Sequence, residues 1–261
     1  MEYEETFGKL KFFVKTGIIV LSSLVLMVLG VQYIPSAIFV TNSASSINLP
    51  IYSVDQNKQL ISLSFDSAGA HEDTAEILEI LALHNVKATF FITGDWAYKY
   101  PDEVKEIAAA GHDIGNNSEN HEDMTGLTKQ EDIEEILQAH IKVKDLTGIE
   151  MNLFRPPYGD FNNTLIDVAD ELGYTSVKWN IDSMDWKDYG VESIIKTVVN
   201  HNDLSNGSII LMHNGAKYTP KALEAVIVHL QEVGYSFVPV SKLIYKDNFY
   251  LDEKGRQFEK R

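Results

Sequence analysis

From about residue 60 onwards, two patterns of apolar residues take turns along the chain. Short runs rich in β-branched and aromatic residues predict β-strands, and longer runs with apolar residues every three or four positions predict amphipathic helices. The strand-like runs lie at residues 60–65, 88–93, 113–116, 153–155, 176–179, 208–212 and 236–239. The helix-like runs lie at residues 74–83, 101–110, 129–146, 163–172, 191–199 and 220–233. This alternation predicts an α/β fold with a parallel sheet, closed into a barrel of seven or eight βα units.

The N-terminal part of the chain has a different pattern. Residues 16–34 carry no charged side chain over 19 positions. As a helix they would extend about 28 Å at 1.5 Å per residue, close to the hydrocarbon thickness of a bilayer. Lysines precede this run at positions 9, 11 and 15, and none follows until Lys58. The positive-inside rule therefore places the N-terminus in the cytoplasm and the rest of the chain outside.

We accordingly expect a cytoplasmic segment at residues 1–15, a transmembrane anchor at 16–34 and an exposed linker at 35–48. The expected location is the cell membrane, crossed once, with the folded domain outside. A cleaved signal peptide is the alternative, because small residues at 43–45 suit a signal peptidase. At the other end, residues 246–261 mix charges with few apolar positions, which predicts a charged tail that is peripheral or disordered.

Composition narrows the possible functions. With 261 residues and 44% hydrophobic content, the chain is large enough for a substantial core. Its 22 basic and 38 acidic residues give a net charge of −16, which argues against binding to nucleic acid. There is no cysteine, so disulfides, thiolate nucleophiles and zinc–thiolate sites are excluded.

Candidate chemistry lies where the strand-like runs end. The first run ends on Asp66, and small residues and then a helix follow it. A carboxylate at the C-terminal end of a strand is where α/β folds place catalytic groups. Four more polar segments follow later strand-like runs, so the loops are expected to converge on one cleft. They are Asn-Ser-Glu-Asn-His at 117–121, Arg-Pro-Pro-Tyr-Gly at 155–159, Asp-Ser-Met-Asp-Trp at 182–186 and Leu-Met-His at 211–213.

The order of these segments resembles that in the polysaccharide deacetylases of carbohydrate esterase family 4, the NodB-homology domain. Residues 87–94, 154–159 and 182–186 are the most specific pieces, and the resemblance covers most of residues 60–244. Around residues 65–74 the chain is also similar to a membrane-anchored, sporulation-type branch. The resemblance implies a distorted (β/α) barrel of the NodB type over residues 49–245.

The resemblance also implies a mechanism in which a divalent metal, usually zinc, polarises an acetamide carbonyl and a water molecule. Asp66 would be the general base, with Arg155 paired to it as the counter-charge. His213 would be the general acid that protonates the leaving amine, and Asp185 would tune its pKa.

Three further residues would bind the substrate. The backbone N–H of Tyr158 would help to hold the developing oxyanion. Leu211 and Trp186 would form the apolar slot for the acetyl methyl group.

The metal site departs from the family pattern. The family usually has an acidic residue directly after the base and histidines at both ends of the second motif, whereas this chain has Ser67, Asn117 and His121. Serine and asparagine are poor zinc ligands. His121 is the one usual ligand that remains, and Asp73 and Asn117 are candidates to bind the metal with it. Asp73 could equally be an N-cap with Glu76 as its capping-box partner. Weaker substitutes are His71, Glu119 and Asp123.

The leading hypothesis is a metal-dependent hydrolase that removes N-acetyl groups from cell-wall glycans, held on the membrane by its N-terminal helix. One alternative is a catalytically decayed protein of this fold that binds glycan or acts structurally. Another is a deacetylase or esterase that works through Asp66 and His213 without metal. The sequence indicates no protein partner.

Overall fold

A computed structural model describes residues 48–260, which belong to one compact unit. The strands are β1 (Ser53–Val54), β2 (Leu60–Ser67), β3 (Thr89–Ile92), β4 (Asp113–Asn116), β5 (Leu153–Phe154), β6 (Thr175–Ser176), β7 (Ile181–Asp182), β8 (Ile209–His213), β9 (Ser236–Phe237), β10 (Phe249–Leu251) and β11 (Arg256–Glu259). The α-helices are α1 (Thr74–Leu83), α2 (Gly94–Lys99), α3 (Pro101–Ala109), α4 (Lys129–Thr147), α5 (Asn163–Glu171), α6 (Val191–Val199), α7 (Thr219–Glu232) and α8 (Val240–Leu243). Short 3-10 helices lie at Met124–Gly126, Pro157–Gly159 and Asp185–Lys187.

The main sheet is parallel and has the order β6-β5-β4-β3-β2-β8-β7, with β9 beside the start of β2. The predicted α/β architecture with a parallel sheet is therefore confirmed. The predicted barrel-like closure is partial in the described residues: the sheet curls into a half-barrel, and β6 and β7 are its two end strands, which do not pair with each other. Both have only two residues. Single bridges from Ile51 to Val177 and from Ser53 to Ser208 connect the N-terminal segment to this open side.

Strand β2 lies in the centre of the sheet, and its two faces contact different parts of the protein. Ile61, Leu63 and Phe65 belong to the large apolar core that the helices cover. The alternate residues of the strand, among them Ser64 and Asp66, point to the opposite face because side chains alternate along a strand. The polar side chains of Ser64 and Asp66 therefore lie on the concave side of the curled sheet.

Most predicted elements are present with small shifts at their ends. No pattern in the sequence predicted α2, which follows β3 almost directly and begins with a cap: the Thr93 hydroxyl accepts a hydrogen bond from the N–H of Trp96 at 3.1 Å. None predicted the two-residue strands β1 and β7 either. Runs this short carry no periodicity that could reveal them.

The C-terminal segment is not the peripheral or disordered tail that its composition predicted. Strands β10 and β11 form an antiparallel hairpin, and β11 also pairs with β1. Gln257 is fully buried there and exchanges two hydrogen bonds with the backbone of Tyr245, both 2.8 Å long. A buried amide contributes no apolar signal, which is why hydropathy failed to predict this element.

Between residues 48 and 260, no helix is both long and apolar enough to cross a membrane. The predicted cytoplasmic segment (1–15), the anchor (16–34) and nearly all of the linker (35–48) lie outside the described residues. The anchor therefore stays a prediction.

We predict that Gly207→Ala destabilises the fold much more than Gly173→Ala. Both glycines have φ of +83°, so alanine costs about 1–2 kcal/mol in backbone strain at either position. A Cβ at Gly207 would lie 1.8 Å from the carbonyl oxygen of Val54, whereas nothing lies within 4 Å of one at Gly173. Urea denaturation should show an extra loss of about 1–3 kcal/mol for Gly207→Ala. Equal losses would show that contact with β1 is unimportant.

Candidate active site

Asp66 and Arg155 form a buried ion pair at the C-terminal end of β2. Asp66 is 6% exposed and Arg155, which follows β5, is fully buried. Nη1 of Arg155 donates to Oδ1 of Asp66 at 2.7 Å, and Nη2 donates to the hydroxyl of Ser64 at 2.9 Å. Burial lowers the pKa of Arg155, and the charge of Asp66 opposes that shift. The pairing expected from the sequence is therefore present, with Ser64 as an additional partner.

Aromatic rings enclose the guanidinium of Arg155. The centre of the Phe91 ring lies 3.9 Å from Cζ and that of Trp179 lies 5.4 Å away. Phe91 is in register with Asp66 on the neighbouring strand β3, so both side chains share one face of the sheet. A cation between ring faces is stabilised by their negative quadrupoles.

His213 and Asp185 form a second pair beside the first. His213 ends β8, in register with Asp66 on β2. Its Nδ1 lies 2.7 Å from Oδ1 of the fully buried Asp185, and its backbone N–H donates to Oδ2 at 2.7 Å. The Thr219 hydroxyl also donates to Oδ2, at 2.6 Å. Asp185 therefore fixes both the backbone and the ring of His213.

The pKa values of this second pair move apart. Burial alone would lower the pKa of His213, but the hydrogen bond and negative charge of Asp185 outweigh it, and the net shift is upward. For Asp185, burial raises the pKa, but the bonds from His213 and Thr219 bring it below its ordinary value. The geometry favours an imidazolium on His213, which is the form that a general acid requires.

His121 lies on a loop after β4. The chain is irregular between Asn117 and His121, with positive φ at Ser118 and His121, so these two positions do not share one face of a helical turn. The His121 ring packs edge-on against the Tyr158 ring, with 4.7 Å between centroids. Burial lowers the pKa of His121 and the nearby charge of Asp66 opposes the shift, so the net effect favours the neutral imidazole.

Asn117 is fully buried next to this loop. Its Nδ2 donates to the backbone oxygen of Arg155 at 2.9 Å. Its Oδ1 has no hydrogen-bond partner among the described residues.

Asp73 bonds to the loop after β8, which neither interpretation of the sequence predicted. It stands at the N-cap position of α1 but makes no side-chain cap, so the capping interpretation is wrong. Its two carboxylate oxygens accept from the backbone N–H of Gly215 at 2.8 and 2.9 Å, and Oδ1 also accepts from Nδ2 of Asn214. Burial raises the pKa of Asp73, and these two donors oppose the shift.

Ser67 is bound to the same asparagine. Its hydroxyl donates to Oδ1 of Asn214 at 3.2 Å, and both side chains are buried. The sequence analysis missed Asn214, although it directly follows His213. An asparagine after a motif gives no signal of its own, because only the fold shows what its amide contacts.

The weaker substitute ligands are engaged elsewhere. His71 stacks on Tyr100 and contacts Glu103 at 2.8 Å. Glu119 pairs with Lys142, and Asp123 accepts from the backbone N–H of Thr125 at 2.9 Å.

A cleft of about 360 Å³ opens above the two pairs. Asp66, His121, Trp186 and His213 line it, together with residues 68–70 and 214–217. Trp186, which lines the cleft, is 54% exposed, whereas Leu211 is only 2% exposed and is not among the lining residues. The proposed base and acid thus share one solvent-accessible space.

The donor set beside Asp66 does not fit the metal that the resemblance implies. Across residues 48–260, no group of three or more His, Asp or Glu side chains is arranged to hold an ion. Zinc sites in proteins are built from imidazole, thiolate and carboxylate ligands. Here His121 remains, the carboxylate of Asp73 accepts bonds from Asn214 and Gly215, and Ser67 and Asn117 offer neutral oxygens.

Comparison with known proteins establishes the family. A family model described as polysaccharide deacetylase matches residues 53–177. A peptidoglycan-N-acetylglucosamine deacetylase from Bacillus cereus is 33% identical over 198 residues, which are 74% of this chain and 92% of that protein. The chain therefore belongs to the polysaccharide deacetylase family, as its motifs indicated.

Two further relatives add detail. The protein YlxY from Bacillus subtilis is 34% identical over 195 residues, and the match spans 75% of this chain and 60% of YlxY. BA3943 from Bacillus anthracis, described as a CE4 family pseudoenzyme, has a crystal structure that matches with a TM-score of 0.72 at 28% identity, over 82% of this chain and 73% of that chain. A BA3943 mutant described as having restored enzymatic activity also matches with a TM-score of 0.72, at 32% identity over 75% and 71% of the two chains.

We predict that Asp185→Asn lowers the pKa of His213, because the effect of burial is then opposed only by the charges of Asp66 and Asp182. Since folding raises the pKa of His213, its charge contributes stability that is fully present below pH 6.5 and lost as the pH rises through the folded-state pKa. NMR titration of the imidazole checks both statements. His112, whose pKa burial lowers to about 4, is the internal control. An unchanged His213 titration would contradict the assignment.

We predict that Arg155→Met costs about 3–5 kcal/mol of unfolding free energy, because it leaves Asp66 buried without its counter-charge. Adding Asp66→Asn should recover part of that loss. Arg256→Met is the control, because Arg256 pairs with Asp55 at 3.0 Å with side chains 31% and 49% exposed. It should cost under about 1 kcal/mol in the same urea titrations. A similar loss at both arginines would show that burial of the pair is unimportant.

Proposed function

We propose that this protein hydrolyses the acetamide groups of N-acetylated cell-wall glycan. The observation that carries the proposal is the juxtaposition of two pairs, Asp66 with Arg155 and His213 with Asp185, on adjacent strands at one cleft. Membership of the polysaccharide deacetylase family supports it, as does similarity to a relative named for peptidoglycan deacetylation.

In the proposed reaction Asp66 accepts a proton from a water molecule, which attacks the acetamide carbonyl carbon. His213 donates a proton to the amine nitrogen as the carbon–nitrogen bond breaks, and the products are acetate and a free amine. Asp185 keeps His213 protonated and oriented through Nδ1, which leaves Nε2 to face the substrate. General acid and base catalysis each contribute about 10²–10⁴-fold to such a reaction.

Three residues are proposed to position the acetyl group. The backbone N–H of Tyr158, in a turn with φ of 59°, would hold the oxyanion. Trp186 would form one wall of the slot for the methyl group, and Leu211 its floor.

Deacetylases of this family generally depend on a metal, and zinc is the ion that the resemblance implies. The described donors do not fit such an ion, so each step above involves only side chains of this chain and water. His121, with its neutral imidazole beside Asp66, is proposed to bind substrate or water.

A second candidate function is recognition of glycan without turnover. It is favoured by Ser67 and Asn117, which replace usual metal ligands, and by the similarity to BA3943, described as a pseudoenzyme. Both candidates use the same cleft and ligand. We also propose that the domain is held outside the cell membrane by residues 16–34.

The two candidates are separated by measuring acetate release and glycan binding with the same preparation. We predict that the full-length protein releases acetate from peptidoglycan or chitooligosaccharides, and that Asp66→Asn and His213→Gln each lower the rate at least about 10²-fold. His201→Gln is the matched control, because His201 is not among the residues that line this cleft.

Acetate release that these two variants leave unchanged would overturn the assigned roles. Binding of chitooligosaccharides without any release of acetate would favour the second candidate. If neither release nor binding occurs, the proposed ligand is wrong.

A further inference from the structure

We propose that the carboxamide of Asn214 joins two loops that line the cleft through hydrogen bonds. We propose further that, because of this link, the structure of the cleft does not depend on a divalent cation. The loops concerned are residues 68–73, which follow Ser67 at the end of β2, and residues 214–218, which follow β8. The inference concerns how the site is held together. It stands whether the protein hydrolyses glycan or only binds it.

The amide of Asn214 is bonded at both ends. Its Nδ2 donates to Oδ1 of Asp73, and its Oδ1 accepts from the hydroxyl of Ser67 at 3.2 Å. The orientation of the amide is fixed by these neighbours, because a carboxylate only accepts hydrogen bonds. Asn214 is 4% exposed and Ser67 is fully buried, so water competes little for either bond.

The backbone completes the link. The N–H of Asn214 donates to the carbonyl oxygen of Asp66 at 3.1 Å, and the N–H of Gly215 donates to both oxygens of Asp73. Gly215 has φ of +87°, and a Cβ on it would lie 2.5 Å from the carbonyl oxygen of Ala70. The close approach of the two loops therefore requires glycine.

This arrangement occupies the position that the resemblance assigns to a metal-ligating carboxylate. Ser67 stands there and donates a hydrogen bond to Asn214, and the carboxylate of Asp73 accepts from the amide of Asn214 and from the backbone N–H of Gly215. A cation would have to break these bonds in order to bind Asp73. The loops are thus held by neutral donors around one carboxylate.

Thermal denaturation of the full-length protein tests the proposal. In wild type, a chelator and added zinc or manganese should each shift Tm by less than about 1 °C, because a ligand that does not bind the native state does not stabilise it. The purified protein should contain no stoichiometric divalent metal. Asn214→Ala should lower Tm by roughly 5–10 °C, because Asp73 loses a buried partner. Asn202→Ala, an exposed asparagine on another loop, should change Tm little.

Asn214→Asp gives a sharper test, since it keeps the shape of the side chain but places a second carboxylate against Asp73. At pH 7 its Tm in chelator should fall at least as far as that of Asn214→Ala. Added zinc or manganese should then restore several degrees to Asn214→Asp and none to Asn214→Ala.

Three results would overturn the proposal. One is stoichiometric metal in wild type, and another is a Tm that rises by several degrees with zinc and falls with chelator. The third is an Asn214→Asp variant as stable as wild type in chelator at pH 7. Acetate release is not used as a readout, so failure of this proposal and failure of the proposed activity can be told apart.

Discussion

The buried contact between Arg155 and Asp66 is the constraint on which the rest of the site depends. An ionised pair in the interior depends on hydrogen bonds to its polar atoms, and removing one member leaves an uncompensated charge. Here the hydroxyl of Ser64 and the backbone oxygen of Lys178 accept from Nη2, and Phe91 lies against the guanidinium, while Nε has no partner among the described residues. The sheet must therefore curl so that β2, β3 and β5 bring these groups to one point.

In strand β2, the alternation of apolar and polar side chains determines both the packing of the core and the position of the site residues. Its odd-numbered residues between 61 and 65 join the core beneath the helices, and its even-numbered residues face the concave side, where Arg155 lies. A shift of one residue in register would exchange these two sets, placing a carboxylate in the core and phenylalanine at the cleft. The identity of the core thus fixes the orientation of Asp66, and strand pairing fixes His213 beside it.

How far the sequence could predict the structure depends on the range of the contacts. The periodicity within residues 60–65 and 74–83 is local, and it located β2 and α1 closely. The partners of Asp73 and Asn214 are separated by 141 residues, and no local pattern indicates that they meet. Motif resemblance bridged that distance for Asp66 with Arg155, because those residues match the family. Where the chain departs from the family, at Ser67 and Asn117, resemblance could not tell what takes the place of the missing ligands.

The two halves of the site, the His213–Asp185 pair and the group of Ser67, Asp73 and Asn214, differ in how many charged side chains they contain. Asp185 is buried and pairs with the half-buried His213, their charges stabilise each other, and the Thr219 hydroxyl also donates to Asp185. Structural stability alone favours replacing such pairs with apolar residues of similar volume, because burying charge is costly. Their presence at the wall of an open cleft is better explained by use of the charges on a ligand. The half built from Ser67, Asp73 and Asn214 contains one carboxylate among neutral donors and needs no ion to complete it.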